Sequence, residues 1–123
     1  MADPAFQITG HATVLHVNDM PAALAYYRDK LGFAVSFTWE EPPRYICLGL
    51  GDAAIHLNAY VPPAGPSHVC IFCKGVDVLY DQLIARGVAV EEPIADQPYG
   101  MRDFTVIDPD GHRLVFGQSI SEN

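Results

Sequence analysis

Positive charge is what this 123-residue chain has least of: seven Lys+Arg stand against fifteen Asp+Glu, for a formal charge of -8. So few cations cannot form the basic stripe that follows a phosphate backbone, so no nucleic-acid partner is expected. The carboxylate excess draws cationic ligands rather than anionic ones. Cysteine is sparse too. Cys47, Cys70 and Cys73 are odd in number and lie in apolar runs, which argues against a disulfide framework and for three buried, reduced thiols. No apolar run approaches the ~18 residues of a membrane-spanning helix. MADPAFQITG lacks the basic and apolar segments of a secretory leader, so no membrane partner and a cytoplasmic location are expected. There is no G-x-G-x-x-G, P-loop or G-x-S-x-G, which leaves nucleotide binding and serine hydrolysis without support.

What is present is a chain half hydrophobic, with ten prolines and ten glycines, enough to bury a core while turning often. It also repeats itself. ATVLHV is followed by Asn18-Asp19-Met20-Pro21, a helical pattern through Leu24, Tyr27 and Leu31, then Gly32 and FAVSF. Asp19 suits the N-cap, Pro21 the first turn and Gly32 the position past the end. The second half runs HVCIFC, Lys74-Gly75, a helical pattern through Val76, Leu79 and Leu83, then Gly87 and VAVEEP. Each half closes on a hairpin, YICLGL turning at Gly51-Asp52 into AAIHLNAY, and DFTVI turning at Asp108-Pro109-Asp110-Gly111 into HRLVFG.

The unit is β-α-β-β-β, twice, giving an α+β domain with curved mixed sheets, helices on one face and a concave cleft on the other. Residues 1–10 read as a tail and 11–123 as one domain, with module one at about 11–61, a Pro-rich linker at 62–67 and module two at about 68–118. Alternation assigns the faces, because residues two apart on a strand share one. Ile55 and Leu57 suit the helix side and Ala54, His56, Asn58 and Tyr60 the cleft. Val69, Ile71 and Cys73 likewise leave His68, Cys70 and Phe72 facing the cleft. Leu114 and Phe116 leave Val115 there. Cys70 and Cys73, three apart on a strand, point to opposite faces and do not form a redox or zinc C-x-x-C pair.

HVNDMPAALAYYRDKLGF resembles the opening of proteins of the vicinal oxygen chelate superfamily, the glyoxalase/bleomycin resistance protein/dioxygenase group, and QPYGMRDFTVIDPDGHRLVF resembles its closing signature. The resemblance runs from about Thr13 onward, nearest to the bleomycin-resistance branch. It implies paired βαβββ modules, commonly in a homodimer whose modules combine around each concave site. In metal-dependent members, ligands come from the first and last strands of each module. Carried over, those positions are Ala12, His56, His68 and Val115, only two of which can coordinate, whereas a catalytic metal normally takes three protein ligands. His56 and His68 are therefore either a partial metal site or acid–base pair, or polar cleft residues hydrogen-bonded to neighbours. His11 and His16 read as ordinary strand-end residues, and His112, after Gly111, as a solvated turn residue.

Phe37, Trp39, Tyr60, Phe72, Tyr99 and Phe104 fall near strand ends or on the cleft face, where rings can stack on a flat ligand. The resemblance implies that an aromatic at Tyr99 lines the ligand groove. Trp39 beside Glu40-Glu41 suits a planar cation. Arg102-Asp103 reads as a ligand contact or a local ion pair, and Asp108 and Asp110 as turn chemistry. The expected function is metal-free capture of a small aromatic, cationic compound, as in antibiotic resistance, without turnover and without a cofactor. Its binding residues are Trp39, His56, Asn58, His68, Phe72, Tyr99 and Arg102. The alternatives are a divalent-metal enzyme of glyoxalase or dioxygenase type using His56 and His68 with an unidentified third ligand, and a structural or regulatory dimer.

Overall fold

The computed structural model describes Ala5 and residues 9–121; the tail expected over residues 1–10 lies mostly outside that range. Strand β1 (Thr13–His16) leads into helix α1 (Met20–Leu24), where the Asp19 side chain accepts from Ala22 N at 3.1 Å, as an N-cap should. The sequence suggests one regular helix as far as Gly32. Instead α1 widens into a π-helical segment over Ala25–Lys30, with Leu31 N donating to Tyr26 O at 3.0 Å. Tyr26 and Tyr27, adjacent in sequence, are both buried on that widened turn. Strands β2 (Ala34–Trp39), β3 (Tyr45–Leu50) and β4 (Ala53–Asn58) complete module one.

Module two repeats the order: β5 (His68–Phe72), helix α2 (Val76–Ala85), β6 (Val90–Asp96), β7 (Met101–Ile107) and β8 (Arg113–Ser119). Sheet one has the order β1-β4-β3-β2 and sheet two β5-β8-β7-β6. In each, the first strand pairs parallel with the last and the rest pair antiparallel. The expected α+β architecture of two βαβββ modules is therefore present.

One hydrophobic core serves both modules. Leu15, Ile46, Leu48, Ile55 and Leu57 of sheet one, Phe104, Val106, Leu114 and Phe116 of sheet two, and Tyr26, Tyr27, Leu31 and Phe33 form a single buried cluster, each large side chain contributing roughly 1.5–3 kcal/mol. Polar ties cross between the modules inside it. Tyr27 Oη donates to Asp108 Oδ2 at 2.8 Å, Tyr26 Oη to Ile107 O at 3.1 Å, and His112 Nε2 lies 2.8 Å from His16 O. Burial, then the Asp108 charge, push both phenols well above the ordinary tyrosine range.

Several residues lie elsewhere than the sequence suggests. His112 is not solvated; it is 1% exposed, because the turn before β8 is covered by module one. Phe104 does not reach the cleft: it is fully buried, stacked on Phe116 at 5.4 Å and edge-on to Tyr80. Of the thiols expected to be buried, Cys70 is exposed and Cys47 and Cys73 half-buried, since Cys47 and Cys70 occupy the open faces of their sheets. Burial pushes the Cys73 thiol up. Cys73 lies just past the end of β5 and packs against the core, whereas Cys70 lies on the open face of sheet two.

Candidate functional site

Register fixes what each open face presents. On sheet one, Val14, His56, Cys47 and Phe37 lie in one cross-strand row, and His16, Asn58, Tyr45 and Trp39 in the next. Their neighbours along the strands, Leu15, Ile55, Leu57, Ile46 and Leu48, point into the core. The face is aromatic. Phe37 and Trp39, about half exposed, stack with ring centroids 6.5 Å apart and planes at 18°. Tyr45 stands edge-on to His56, its Oη 2.8 Å from His56 Nδ1, and Arg44 lies over the Tyr60 ring.

Sheet two presents Cys70, Val115, Thr105 and Glu92 in one row and Phe72, Gly117 and Asp103 in the next. Here the face encloses a cavity of about 380 Å³, lined by His68, Phe72, Tyr99, Met101 and Asp103 among others, all within residues 68–117. Gly117 keeps its floor open: a Cβ there would meet Met101 Cε at 3.1 Å and Asp103 Cβ at 3.3 Å. The rim is acidic. A register shift between Val90 and Glu92 brings consecutive residues Glu91 and Glu92 to the same cavity, where regular pleating would part them. Arg113 pairs bidentately with Glu91, at 2.6 and 3.1 Å, and holds that carboxyl below its usual range.

Tyr99 stands on the four-residue turn between β6 and β7, where Gly100 takes φ +89. Its hydroxyl donates to Asp103 Oδ2 at 2.6 Å, while Gln97 Nε2 donates to Oδ1 at 3.1 Å. That hydrogen bond, with some desolvation, pushes the Tyr99 phenol up to about 12. The ring stays two-thirds exposed at the cavity mouth.

The residues expected to bind ligand therefore divide. Trp39 and His56 lie on the open face of sheet one, and His68, Phe72 and Tyr99 on that of sheet two. Asn58 is in the sheet-one row, but its Oδ1 accepts from Tyr60 N at 2.8 Å and shapes the chain leaving β4. Arg102 is displaced from its expected place. Its guanidinium lies on the helix side, held by Asp77 at 2.8 Å and Asp96 at 3.1 Å, and it does not pair with Asp103. Consecutive strand residues face opposite ways, so Arg102 and Asp103 cannot meet. The same alternation could have placed Asp103 and Thr105 on the cavity floor opposite Phe104 and Val106. The bulge that adds Glu91 to the rim has no such signal in sequence.

The donors for a metal do not fit. Of the four positions that the resemblance implies, only His56 and His68 can coordinate, Ala12 and Val115 cannot, and no group of three or more His, Cys, Asp or Glu able to hold a metal ion occurs within the chain among the described residues.

A pair of βαβββ modules, each with an open concave face, defines the glyoxalase-type fold. The chain belongs to the Glyoxalase/Bleomycin resistance protein/Dioxygenase superfamily, whose family model matches residues 9–116. It is 28% identical to the bleomycin resistance protein of Geobacillus stearothermophilus, over 86% of this chain and 93% of that protein. It superposes on the bleomycin-binding protein of Streptomyces verticillus, solved with copper(II)-bleomycin, with a TM-score of 0.74 and 25% identity, covering 90% of this chain and 96% of the other. TnmS3, an antibiotic binding protein from Streptomyces sp. CB03234, shares the fold at a TM-score of 0.74 and 23% identity over 93% and 99% of the two chains.

Proposed function

We propose that this protein is a metal-free binding protein that sequesters a small aromatic, cationic compound, acting as a homodimer. Sheet one of one protomer and sheet two of its partner would face each other across each cleft. The observation that carries this reading is the complementarity of the two open faces. One offers the stacked Phe37 and Trp39, and the other a cavity with Tyr99 at its mouth and three carboxylates, Glu91, Glu92 and Asp103, against one Arg113. Rings bind planar ligands of either sign, and the excess carboxylates select the cation. The bleomycin resistance and bleomycin-binding relatives support the same reading. Capture needs no proton transfer.

Fluorescence titration with three tricyclic probes tests it: proflavine as cation, acridone as neutral ring, and 9-anthracenecarboxylate as anion. Proflavine should bind at least about tenfold more tightly than the anion, with the difference shrinking as salt rises. Equal affinities would exclude the cationic assignment. Elemental analysis after dialysis should find well under one divalent ion per chain, whereas a stoichiometric, retained metal would replace this reading with that of a metal enzyme.

A further inference from the structure

The three carboxylates at the cavity of sheet two are not equivalent. Glu91 is committed to Arg113 by two hydrogen bonds. Asp103 accepts from Gln97 on Oδ1 and from the Tyr99 hydroxyl on Oδ2 and is only 7% exposed, so burial leaves it little access to a ligand. Glu92 is exposed, lines the same cavity and makes none of these hydrogen bonds. The turn that carries Tyr99 is braced from both sides of the sheet. Asp103 grips Gln97 and Tyr99 on the open face. On the helix side, Arg102 ties Asp96, the residue before the turn, to Asp77 of α2. A tyrosine on a surface turn would ordinarily sample several rotamers and lose that freedom on binding. Here the hydroxyl is already anchored, and the exposed ring is set before a ligand arrives.

We propose that these carboxylates divide the work of recognition: Asp103 is a positioning residue that fixes Tyr99 as a stacking wall, and Glu92 is the counter-charge for an ammonium or amidinium group of the ligand. The proposal rests on the binding function above and assigns that site's selectivity. A planar ligand lies with its ring against Tyr99 and its cationic nitrogen toward Glu92. The ligand class is a flat aromatic bearing a cationic N–H group, because Glu92 and Tyr99 line the same cavity.

Two independent measurements test the two roles. Alkaline difference absorbance follows the phenols without any ligand. The titration near 12 should disappear in Tyr99→Phe and move down toward the ordinary 10 in Asp103→Asn, while Glu92→Gln, which removes a lesser contribution, should lower it less than Asp103→Asn does. Fluorescence titration then compares proflavine with acridone. Glu92→Gln should weaken proflavine by roughly tenfold and leave acridone unchanged, whereas Tyr99→Phe, which keeps the ring and loses its anchor, should weaken acridone as well. A Tyr99 phenol indifferent to Asp103→Asn overturns the positioning role. Equal losses for the charged and neutral probes in Glu92→Gln overturn the counter-charge role. If the wild type binds neither probe while its phenol still titrates high, the binding function itself fails and Glu92's role with it, and the Asp103 anchor is left as a structural tie.

Discussion

Both ring nitrogens of His112 are committed, in opposite senses. Nδ1 faces Ser67 N at 2.8 Å, and a backbone N–H can only donate; Nε2 faces His16 O at 2.8 Å, and a carbonyl can only accept. The ring is therefore neutral with its proton on Nε2. It joins the linker, the end of β1 and the turn before β8. Asp108 completes the junction, accepting from Tyr27 Oη and from the backbone of Asp110 and His112. In sequence, Asp108-Pro109-Asp110-Gly111 is a turn, and turns ordinarily face water. Nothing local shows that another module covers this one. His112→Ala should strand both backbone partners and lower unfolding free energy by about 2–3 kcal/mol in urea denaturation. A loss within about 0.5 kcal/mol, the range of ordinary surface substitutions, would show that the junction does not depend on the ring.

Helix α1 begins where the sequence says it should. Asp19 takes extended backbone geometry, φ -130 and ψ 102, and its side chain caps Ala22 N, with Pro21 in the first turn. These are contacts within three residues, legible because capping depends only on neighbours. The π-helical continuation over Ala25–Lys30 is not legible in that way, since Tyr26 and Tyr27 reach acceptors 81 residues distant. Asp19→Ala should cost about 1 kcal/mol, read as a lowered thermal midpoint, with proflavine affinity unchanged because α1 lies behind sheet one. An altered affinity would mean that α1 sets the open face after all. The turn from Gln97 to Gly100 shows the converse. Its Gly and Pro mark it in sequence, but its braces, Asp103 on one face and Arg102 on the other, follow from the pleat and from where α2 lies.

At the scale of the whole molecule, the helix sides of both sheets are spent on one common core, and their open faces lie on the outside of it. A crevice of about 560 Å³, lined by residues such as Leu50, Asp52, Cys70 and Phe72, separates the β3–β4 turn of module one from strand β5. Strands β1 and β5 are each paired on one side only, and unpaired edges beside exposed Val14 and Phe72 are places where a second chain gains contacts. The proposed homodimer should give a light-scattering mass of twice 13.4 kDa at micromolar concentration. A 13.4 kDa particle that still binds proflavine would show that sheet two alone is the site.

By itself the sequence determined the repeat, the order of elements, the α1 cap, the turn at Asp108 and the alternation that puts His56, His68 and Phe72 on open faces. All of these rest on interactions between residues a few places apart, or on the twofold period of a strand. Tertiary structure alone decided that His112 and Phe104 are interior and that Arg102 serves the helix side. It also decided that the bulge in β6 sends Glu91 and Glu92 to the same cavity. Those outcomes depend on which module covers which surface and on how strands slip in register, and both are set by packing between segments distant in the chain.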